Sequence, residues 1–264
     1  MTKALDKRIE RVKKYDQKYT ELIEENSLLI DTDGYKVGEI NGLTVLTIGD
    51  YSFGKPTKIT ANTFMGKAGV INIERETEMS GSSHSKGILI LRGYFGEKFA
   101  QNFPLSLTAS LCFEQLYNGV DGDSASSTEC YAILSSLSDM PIKQSLAVTG
   151  SVNQKGIIQP VGGVNEKIEG FYSICKMRGL NGEQGVIIPI QNVRNLHLSD
   201  DVINSVKEGK FHIYAVSTID EGIEILTGVP AGKQTKSGTY PAGTINYLVY
   251  EKLKKYYENS KEVK

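Results

Sequence analysis

A serine at the start of a predicted helix is the first feature of the sequence that could do chemistry. The segment Asp121–Ser126 reads Asp-Gly-Asp-Ser-Ala-Ser, an acidic turn that leads directly into a helix predicted for Ser124–Leu137. At such a turn the hydroxyl of Ser124 would lie near free backbone N–H groups and the positive end of the helix dipole. Those groups could stabilise a developing oxyanion. Taken alone, the segment also fits an ordinary helix cap, because Ser and Asp are favoured there.

A lysine near the start of a second predicted helix could supply the base. The segment Pro160–Gly170 contains Gly-Gly followed by Val-Asn-Glu-Lys, which predicts a helix over Val164–Arg178 with Lys167 about one turn in. If Ile168 and Phe171 face the core, Lys167 lies beside them and is partly desolvated, which lowers a lysine pKa. A neutral amine can accept the proton of a serine hydroxyl without a histidine. A surface lysine paired with a neighbouring glutamate is the simpler alternative.

Four segments, taken together, resemble a known family of peptidases. In chain order they are Asp121–Ser126, the strand Ala147–Val152, Gln159–Gly170 and Gly185–Pro189. They resemble the proteolytic domain of the Lon proteases, most closely the LonB type, which has Gly-Asp-Ser-Ala-Ser around its nucleophile, and the related bacterial Lon-like (LonC-like) proteases. The resemblance extends over most of residues 37–228, and Ser124 and Lys167 lie 43 positions apart, as in the family.

The resemblance implies a role for each matched residue. Ser124 matches the nucleophile, Lys167 the general base, and Thr149 a threonine whose hydroxyl forms a hydrogen bond beside the lysine amine. Asp121 and Asp123 match acidic positions of the LonB-type turn. A carboxylate next to the amine would raise the lysine pKa. In an active geometry we therefore expect both carboxylates to point away from Lys167.

The reaction implied by the resemblance is hydrolysis of peptide bonds in unfolded or misfolded polypeptides by a Ser–Lys dyad. Two other classes stay open at this point. One is a catalytically silent scaffold or peptide-binding domain with the same fold, although retention of Ser124, Thr149 and Lys167 argues against it. The other is a hydrolase of small esters or amides. The family also implies a homo-oligomer, a hexameric ring whose sites face an inner chamber.

For the fold, the resemblance implies an α/β (layered α+β) class with the Lon proteolytic-domain architecture. It predicts an N-terminal β-hairpin region, preceded and followed by extra helices. We expect a helical segment over residues 1–33, the tail of an upstream module or a packing arm. The proteolytic domain is predicted for residues 34–230, and a linker with a C-terminal helix for residues 231–264.

The residue patterns predict individual elements in two regions. In the first half, short β-branched runs predict strands, with a hairpin turn at Asn41-Gly42; the runs are Tyr35–Ile40, Leu43–Ile48, Thr57–Thr63, Val70–Ile73 and Ile88–Leu91. A helix is predicted over Phe95–Leu116, with a break near Pro104. In the second half, strands are predicted at Ser145–Thr149, near Ile157–Ile158, at Gly185–Ile190 and at Phe211–Val216. Helices are predicted at residues 3–26, Asp200–Lys207, Ile219–Leu226 and Thr244–Tyr257, besides the two named above.

Composition excludes several classes of protein. The formal net charge is −1 and the pI about 6.4, so no overall charge draws the chain to nucleic acid or to anionic membranes. No run of about 18 apolar residues occurs, which argues against a transmembrane helix. The first residues contain no apolar stretch, so we expect no secretory signal and a cytoplasmic protein. The three cysteines, Cys112, Cys130 and Cys175, fit neither a disulfide framework nor a zinc site, and we expect small buried side chains.

Three weaker signals are set aside. Gly49–Pro56 nearly spells a phosphate-binding loop, but Pro56 occupies the place of the magnesium-binding Ser or Thr. We interpret it as an exposed hairpin loop and expect no cofactor in this chain, since ATP would need an upstream ATPase module. His84 is predicted to lie in a polar surface loop before a strand, with a substrate-channel or interface role left open by a similar His-x-Lys-Gly stretch in Lon-like proteases. The Tyr- and Lys-rich last helix is interpreted as a packing helix rather than a nucleic-acid site.

Overall fold

The computed structural model describes residues 17–49 and 51–262. Residues 17–24 are helical and form α1, so the predicted helix over residues 3–26 lies partly outside the described residues. The strands of the first half are β1 (Tyr35–Lys36), β2 (Glu39–Ile48), β3 (Tyr51–Met65), β4 (Gly69–Asn72) and β5 (Leu107–Phe113). The helices of this half are α2 (Ile73–Glu76) and α3 (Ser82–Phe99).

Helices and strands alternate in the second half. Its strands are β6 (Ile142–Lys143), β7 (Leu146–Val148), β8 (Ser151–Val152), β9 (Ile158–Gln159), β10 (Gly185–Pro189) and β11 (His212–Val216). Its helices are α4 (Ser126–Ser138), α5 (Val164–Arg178), α6 (Asp200–Lys207), α7 (Ile219–Thr227) and α8 (Ile245–Glu262), with a 3₁₀ helix over Ile190–Asn195.

One mixed sheet of seven strands organises the molecule, in the order β11-β10-β7-β2-β3-β5-β4. β2 and β3 form a long antiparallel hairpin, and β3 also pairs antiparallel with β5. The pairs β11–β10, β10–β7, β7–β2 and β4–β5 are parallel. Helices cover both faces, so the predicted α/β class with an N-terminal hairpin region is confirmed.

The central parallel strands are apolar on both sides because each face is covered by helices. In β10, Ile187 packs into the core beneath α4, whereas Val186 and Ile188 pack against α5 on the opposite face. β7 shows the same alternation, with Val148 on the α4 side and Ala147 on the α5 side. Successive side chains of a pleated strand point to opposite faces. Because both faces are buried here, every position is apolar, and the strands stand out in the sequence as short continuous apolar runs.

The two faces position the two helices that matter for chemistry. On one face α4 packs against β3 and is flanked by α3, α7 and α8. The last helix, α8, contributes the fully buried Ile245, Val249 and Leu253 to this core. On the other face α5 packs against β2, β3 and β10. The start of α4 and the start of α5 thus approach the same sheet from opposite sides.

Two predicted elements between residues 88 and 116 are wrong. Ile88–Leu91 is not a strand but lies within α3, and Phe95–Leu116 is not one helix: α3 ends at Phe99 and β5 begins at Leu107. A run of four apolar residues cannot distinguish a strand from a buried helix by periodicity. In α3, Ile88 and Leu91 lie three positions apart and are both buried, as on one helix face, while Leu89 is exposed.

The hairpin turn predicted at Asn41-Gly42 is also wrong. Both residues lie inside β2, and the hairpin closes where Ile48 pairs with Tyr51. Asn41 occupies a strand because its buried side-chain amide donates to the carbonyl oxygens of Asp31 (2.9 Å) and Gln144 (2.8 Å). Pro56, interpreted as part of an exposed loop, is buried in β3.

The remaining predicted helices and strands of the second half appear within two residues of their expected bounds, except that α8 extends five residues beyond Tyr257, to Glu262. All three cysteines are free thiols; Cys130 and Cys175 are buried and Cys112 is partly exposed. Among residues 17–49 and 51–262, no helix combines the length and the apolar character needed to cross a lipid bilayer.

Candidate active site

Ser124 lies in the loop between β5 and α4, two residues before α4 begins. Its carbonyl oxygen accepts hydrogen bonds from the backbone N–H of Gly150 at 2.8 Å and from the Thr149 hydroxyl at 3.3 Å. These bonds fix the loop to the residues that follow β7. The first N–H groups of a helix have no partners within that helix, and they carry its positive partial charge. Ser124 therefore lies at the electropositive end of α4.

Lys167 lies in the first turn of α5, and its side chain points inward. Its backbone N–H donates to the Gly163 carbonyl at 3.0 Å, as expected for the start of a helix, and Ile168 and Phe171 are fully buried. The lysine itself is 3% exposed. Its Nζ lies 3.2 Å from the Ser124 Oγ. The alternative of a surface lysine paired with a glutamate is therefore wrong.

Thr149 connects the Lys167 side chain to the Ser124 backbone by accepting one hydrogen bond and donating another. The Lys167 Nζ donates to the Thr149 Oγ1 at 3.0 Å, and the Thr149 hydroxyl donates to the Ser124 carbonyl. Since Thr149 takes up an N–H of the amine, a neutral Lys167 can turn its lone pair toward the Ser124 hydroxyl. The three residues predicted from the sequence thus meet at one point.

Burial controls the charge of the amine. Removal from water disfavours the ammonium form and lowers the pKa of Lys167 to about 8, while the nearby carboxylates of Asp123 and Glu166 partly offset the effect. At pH 7 a group with this pKa is neutral in roughly one molecule in ten. An ordinary surface lysine would be neutral in fewer than about one in a thousand.

The two acidic residues of the loop form hydrogen bonds away from the amine. The Asp121 carboxylate accepts the backbone N–H groups of Gly122, Ser83 and His84, which lowers its pKa. The Asp123 Oδ2 accepts the hydroxyl of Ser151 at 2.8 Å. Neither carboxylate makes a hydrogen bond to Lys167 within the described chain. Asp121 thereby ties the loop to the start of α3.

Glycines allow α5 to approach the sheet closely enough for Lys167 to reach Ser124. A Cβ on Gly54 of β3 would lie 2.0 Å from the Glu166 carbonyl oxygen and 2.6 Å from the Lys167 Cα, so backbone packs directly on backbone there. Gly163, which precedes α5, has φ of 65°, a left-handed conformation that favours glycine. The Gly-Gly segment noted in the sequence therefore starts the helix.

A groove of about 390 Å³ opens onto Ser124 and Lys167. One wall is the edge of β2 at Thr44, Val45 and Leu46, and the other is the loop before Ser124. β2 pairs with β7 only at Asn41 and Gly42, so beyond Gly42 this edge has no partner strand in the described part of the chain. An extended polypeptide could pair with such an edge.

A larger cavity, of about 660 Å³, lies elsewhere, near the start of α7. Four of its charged side chains already form ion pairs, Lys98 with Asp220 and Lys155 with Glu97. The larger volume of this cavity therefore does not make it the candidate active site. Within residues 17–49 and 51–262, no group of three His, Cys, Asp or Glu side chains is arranged to hold a metal ion.

The predicted surface position of His84 is wrong, and a second buried polar side chain lies beside it. His84 is not in a surface loop; it is the third residue of α3 and is 1% exposed. Its Nε2 faces the Oε1 of Glu129, a buried residue of α4 that the sequence motifs did not indicate. A glutamate within the otherwise apolar or small-residue run Ser126–Leu137 is the signal that could have indicated it.

Comparison with known proteins identifies the family of this region of the chain. Residues 118–228, which include Ser124, Thr149 and Lys167, match the family model of the Lon protease (S16) C-terminal proteolytic domain. The chain therefore carries a proteolytic domain of the Lon family, as its sequence motifs indicated.

Individual relatives extend the similarity beyond that segment. A putative Lon protease homolog of Escherichia coli is 44% identical over 208 residues, which are 78% of this chain and 35% of that protein. A putative Lon protease homolog of Haemophilus influenzae is 39% identical over 240 residues, 90% of this chain and 40% of that protein. The archaeal Lon protease of Archaeoglobus fulgidus is 32% identical over 210 residues, 78% of this chain and 31% of that protein. The chain thus spans 40% or less of the length of each of these relatives.

Proposed function

We propose that the chain is a serine peptidase in which Ser124 is the nucleophile and Lys167 the general base. The observation that carries this proposal is the 3.2 Å contact between the buried Lys167 Nζ and the Ser124 Oγ. A nucleophilic serine needs a base within hydrogen-bond reach, and a lysine can fill that role when its pKa is lowered by burial. The membership of the Lon family supports the same assignment.

The reaction then proceeds in two stages. In the first, neutral Lys167 takes the proton of Ser124, whose oxygen attacks the peptide carbonyl, and the ammonium returns a proton to the leaving amine. In the second, the neutral amine activates a water molecule that attacks the acyl-enzyme and releases the acid product. The positive end of the α4 dipole lies beside Ser124 and favours the negative charge that develops on the oxyanion.

Thr149 is a supporting residue in this proposal. By accepting an N–H of Lys167 it orients the amine, and by donating to the Ser124 carbonyl it holds the nucleophile in place. Asp121 and Asp123 shape the loop through their own hydrogen bonds, and we assign them no proton-transfer role.

Unfolded or misfolded polypeptide is the substrate class that we favour. The groove is bordered by the unpaired edge of β2, which suits an extended backbone better than a compact small molecule. An extended chain paired with Thr44–Leu46 would run along the wall that faces Ser124 and Lys167.

We also propose that copies of the full protein assemble into a homo-oligomeric, hexameric ring in the cytoplasm, with the sites facing an inner chamber. Such a ring would exclude folded proteins from the nucleophile. This chain itself needs no cofactor for the chemistry described; if the full protein consumes ATP, a separate ATPase module does so. The particle mass of the full protein tests the hexameric ring, and degradation measured with and without ATP tests the separate ATPase module.

One set of assays tests the proposed function. The purified chain and its Ser124→Ala and Lys167→Ala variants are incubated with casein, a fluorogenic peptide and a small ester. We expect the wild-type chain to cleave casein and the peptide, and both variants to lose cleavage while keeping the fold. Turnover of the ester alone would favour a small-molecule hydrolase. Peptide binding without cleavage in every oligomeric state would favour the silent scaffold.

A further inference from the structure

Three ionisable side chains are buried directly behind the loop that carries Ser124. They are His84 on α3, Glu129 on α4 and Glu74 on α2, each 3% exposed or less. None of them lines the groove, so none can contact a substrate there. Burying ionisable groups is costly unless each finds a partner. Their arrangement therefore needs an explanation that the proposed reaction does not supply.

His84 contacts the loop through both its backbone and its ring. Its backbone N–H donates to the Asp121 carboxylate at 3.4 Å, and its ring forms a hydrogen bond with the Gly122 carbonyl. The ring of Phe113 packs edge-to-face on the imidazole, with centroids 5.4 Å apart. The imidazole is thus fixed in orientation against Gly122, which lies two residues before Ser124 in the sequence.

The other ring nitrogen faces α4. The His84 Nε2 and the Glu129 Oε1 lie 3.6 Å apart, and neither atom has a hydrogen-bond partner within residues 17–49 and 51–262. A buried polar atom without a partner is costly, because it has lost its hydrogen bonds to water. A protonated Glu129 would satisfy both atoms at once by donating its O–H to Nε2, after the two atoms approach by roughly 0.6–0.9 Å.

The surroundings favour the neutral form of both partners. Burial raises the pKa of Glu129 well above its ordinary value, and the neighbouring Glu74 raises it further. Burial lowers the pKa of His84, although the charges of Glu74 and Asp121 and the bond to Gly122 partly oppose this. The two oxygens of Glu74 accept the Phe113 backbone N–H at 2.8 Å and the Asn72 side-chain amide at 2.9 Å. A neutral imidazole can therefore donate from Nδ1 to Gly122 and accept at Nε2.

We propose that His84 is a positioning residue for Ser124: its neutral imidazole bridges the Gly122 carbonyl and the protonated side chain of Glu129, and so holds the backbone on both sides of the nucleophile. This inference rests on the proposed function, because positioning has a kinetic meaning only if Ser124 reacts. Gly122 precedes Ser124 by two residues, and Glu129 follows it on the helix whose N-terminus faces the site. Misplacement of reacting groups by about 1 Å can cost 10²-fold in rate.

The kinetic test compares variants of the buried pair with a matched control. We expect His84→Ala to lower kcat for peptide cleavage at least tenfold with little change in KM, since His84 does not line the groove. His197→Ala, at an exposed histidine, should leave both constants unchanged. Glu129→Gln keeps a donor for Nε2 and should retain kcat within about threefold, whereas Glu129→Leu should lose it as His84→Ala does. Full kcat in a folded His84→Ala protein, or equal losses in the Gln and Leu variants, would overturn the proposal.

A spectroscopic test uses the wild-type chain and does not depend on activity. The sequence has three histidines, so the ¹⁵N resonances of His84 can be assigned by comparison with a His84→Gln spectrum. We expect a neutral ring, protonated at Nδ1 and unprotonated at Nε2, with no change between pH 6 and 8. An imidazolium spectrum at pH 7 would contradict the neutral bridge. An inactive wild-type chain with the expected spectrum would refute the proposed function but retain the buried pair.

Discussion

The backbones of Gly54 on β3 and Gly170 on α5 touch: a Cβ added to Gly170 would lie 2.1 Å from the Gly54 carbonyl oxygen. No side chain can fit there without moving the helix. Since Lys167 lies one turn before Gly170 on the same helix, this contact sets the distance between Lys167 and Ser124. We expect Gly170→Ala to lower peptide cleavage at least a hundredfold and to destabilise the fold by about 1–3 kcal/mol.

The control for that variant is Gly96→Ala. Gly96 also lies inside a helix, α3, but a Cβ there would meet nothing within 4 Å. Alanine is about 1 kcal/mol more favourable than glycine in a helix interior. Denaturant unfolding should therefore show a gain in stability for Gly96→Ala, with unchanged activity. Equal activity of both variants would disprove the role of the glycine contact.

The pH dependence of cleavage should report the charge of Lys167. Because the pKa of Lys167 is lowered to about 8, the amine is mostly protonated below that pH and cannot accept the Ser124 proton. We expect kcat/KM to rise tenfold per pH unit below about 8 and to level off above it. A rate that is flat from pH 6 to 9 would argue against an amine as the base.

The charge of Asp123 should shift the pH dependence of kcat/KM. Its carboxylate raises the pKa of Lys167 while its Oδ2 accepts the Ser151 hydroxyl. Asp123→Asn removes the charge and keeps an oxygen that can accept the hydrogen bond. The rising limb of the kcat/KM profile should therefore move to lower pH. A limb that stays in place or moves to higher pH would show that the charge of Asp123 does not act on the amine.

Burial of Lys167 should also cost stability. Lowering a lysine pKa from 10.5 to about 8 corresponds to about 3 kcal/mol of destabilisation of the ammonium form. Lys167→Met keeps the apolar stem and removes the charge, so we expect it to raise the free energy of unfolding at pH 7 by about 2–3 kcal/mol.

The change of this stability difference with pH gives a second check. Below pH 8 the lysine is protonated in both the folded and the unfolded state, and the full penalty applies. Between pH 8 and 10.5 the folded state releases its proton first, so the wild-type chain gains stability and the advantage of Lys167→Met shrinks. An advantage that does not change between pH 7 and 10 would show that the lowered pKa is not its cause.

The sequence predicted those parts of the molecule whose patterns are local. Val164–Arg178 matches α5 because its apolar spacing and its Gly-Gly start both indicate a helix, and β10 follows from a short apolar run after a glycine. Ser124 and Lys167 could be named from their motifs. Their contact was expected from the family resemblance alone and not from local patterns, because it depends on the packing of α4 and α5 on opposite faces of one sheet.

The errors have physical causes of the same kind. Asn41-Gly42 is typical of a turn, but tertiary hydrogen bonds from the Asn41 amide keep it in a strand. Ile88–Leu91 is apolar enough for a strand, but the burial of α3 makes the same residues one side of a helix. His84 is polar and was placed at the surface, whereas its partner Glu129 lies 45 positions further along the chain and could not be inferred from local sequence.

A covalent acyl group on Ser124 tests the central claim most directly. The chain is mixed at pH 8 with an activated peptide ester, quenched with acid and mapped by mass spectrometry. We predict that the wild-type chain carries the acyl group on Ser124, that Ser124→Ala carries none, and that Lys167→Met acylates at least a hundredfold more slowly. Acylation elsewhere, or at an equal rate in Lys167→Met, would contradict the account of Ser124 and Lys167 as nucleophile and base.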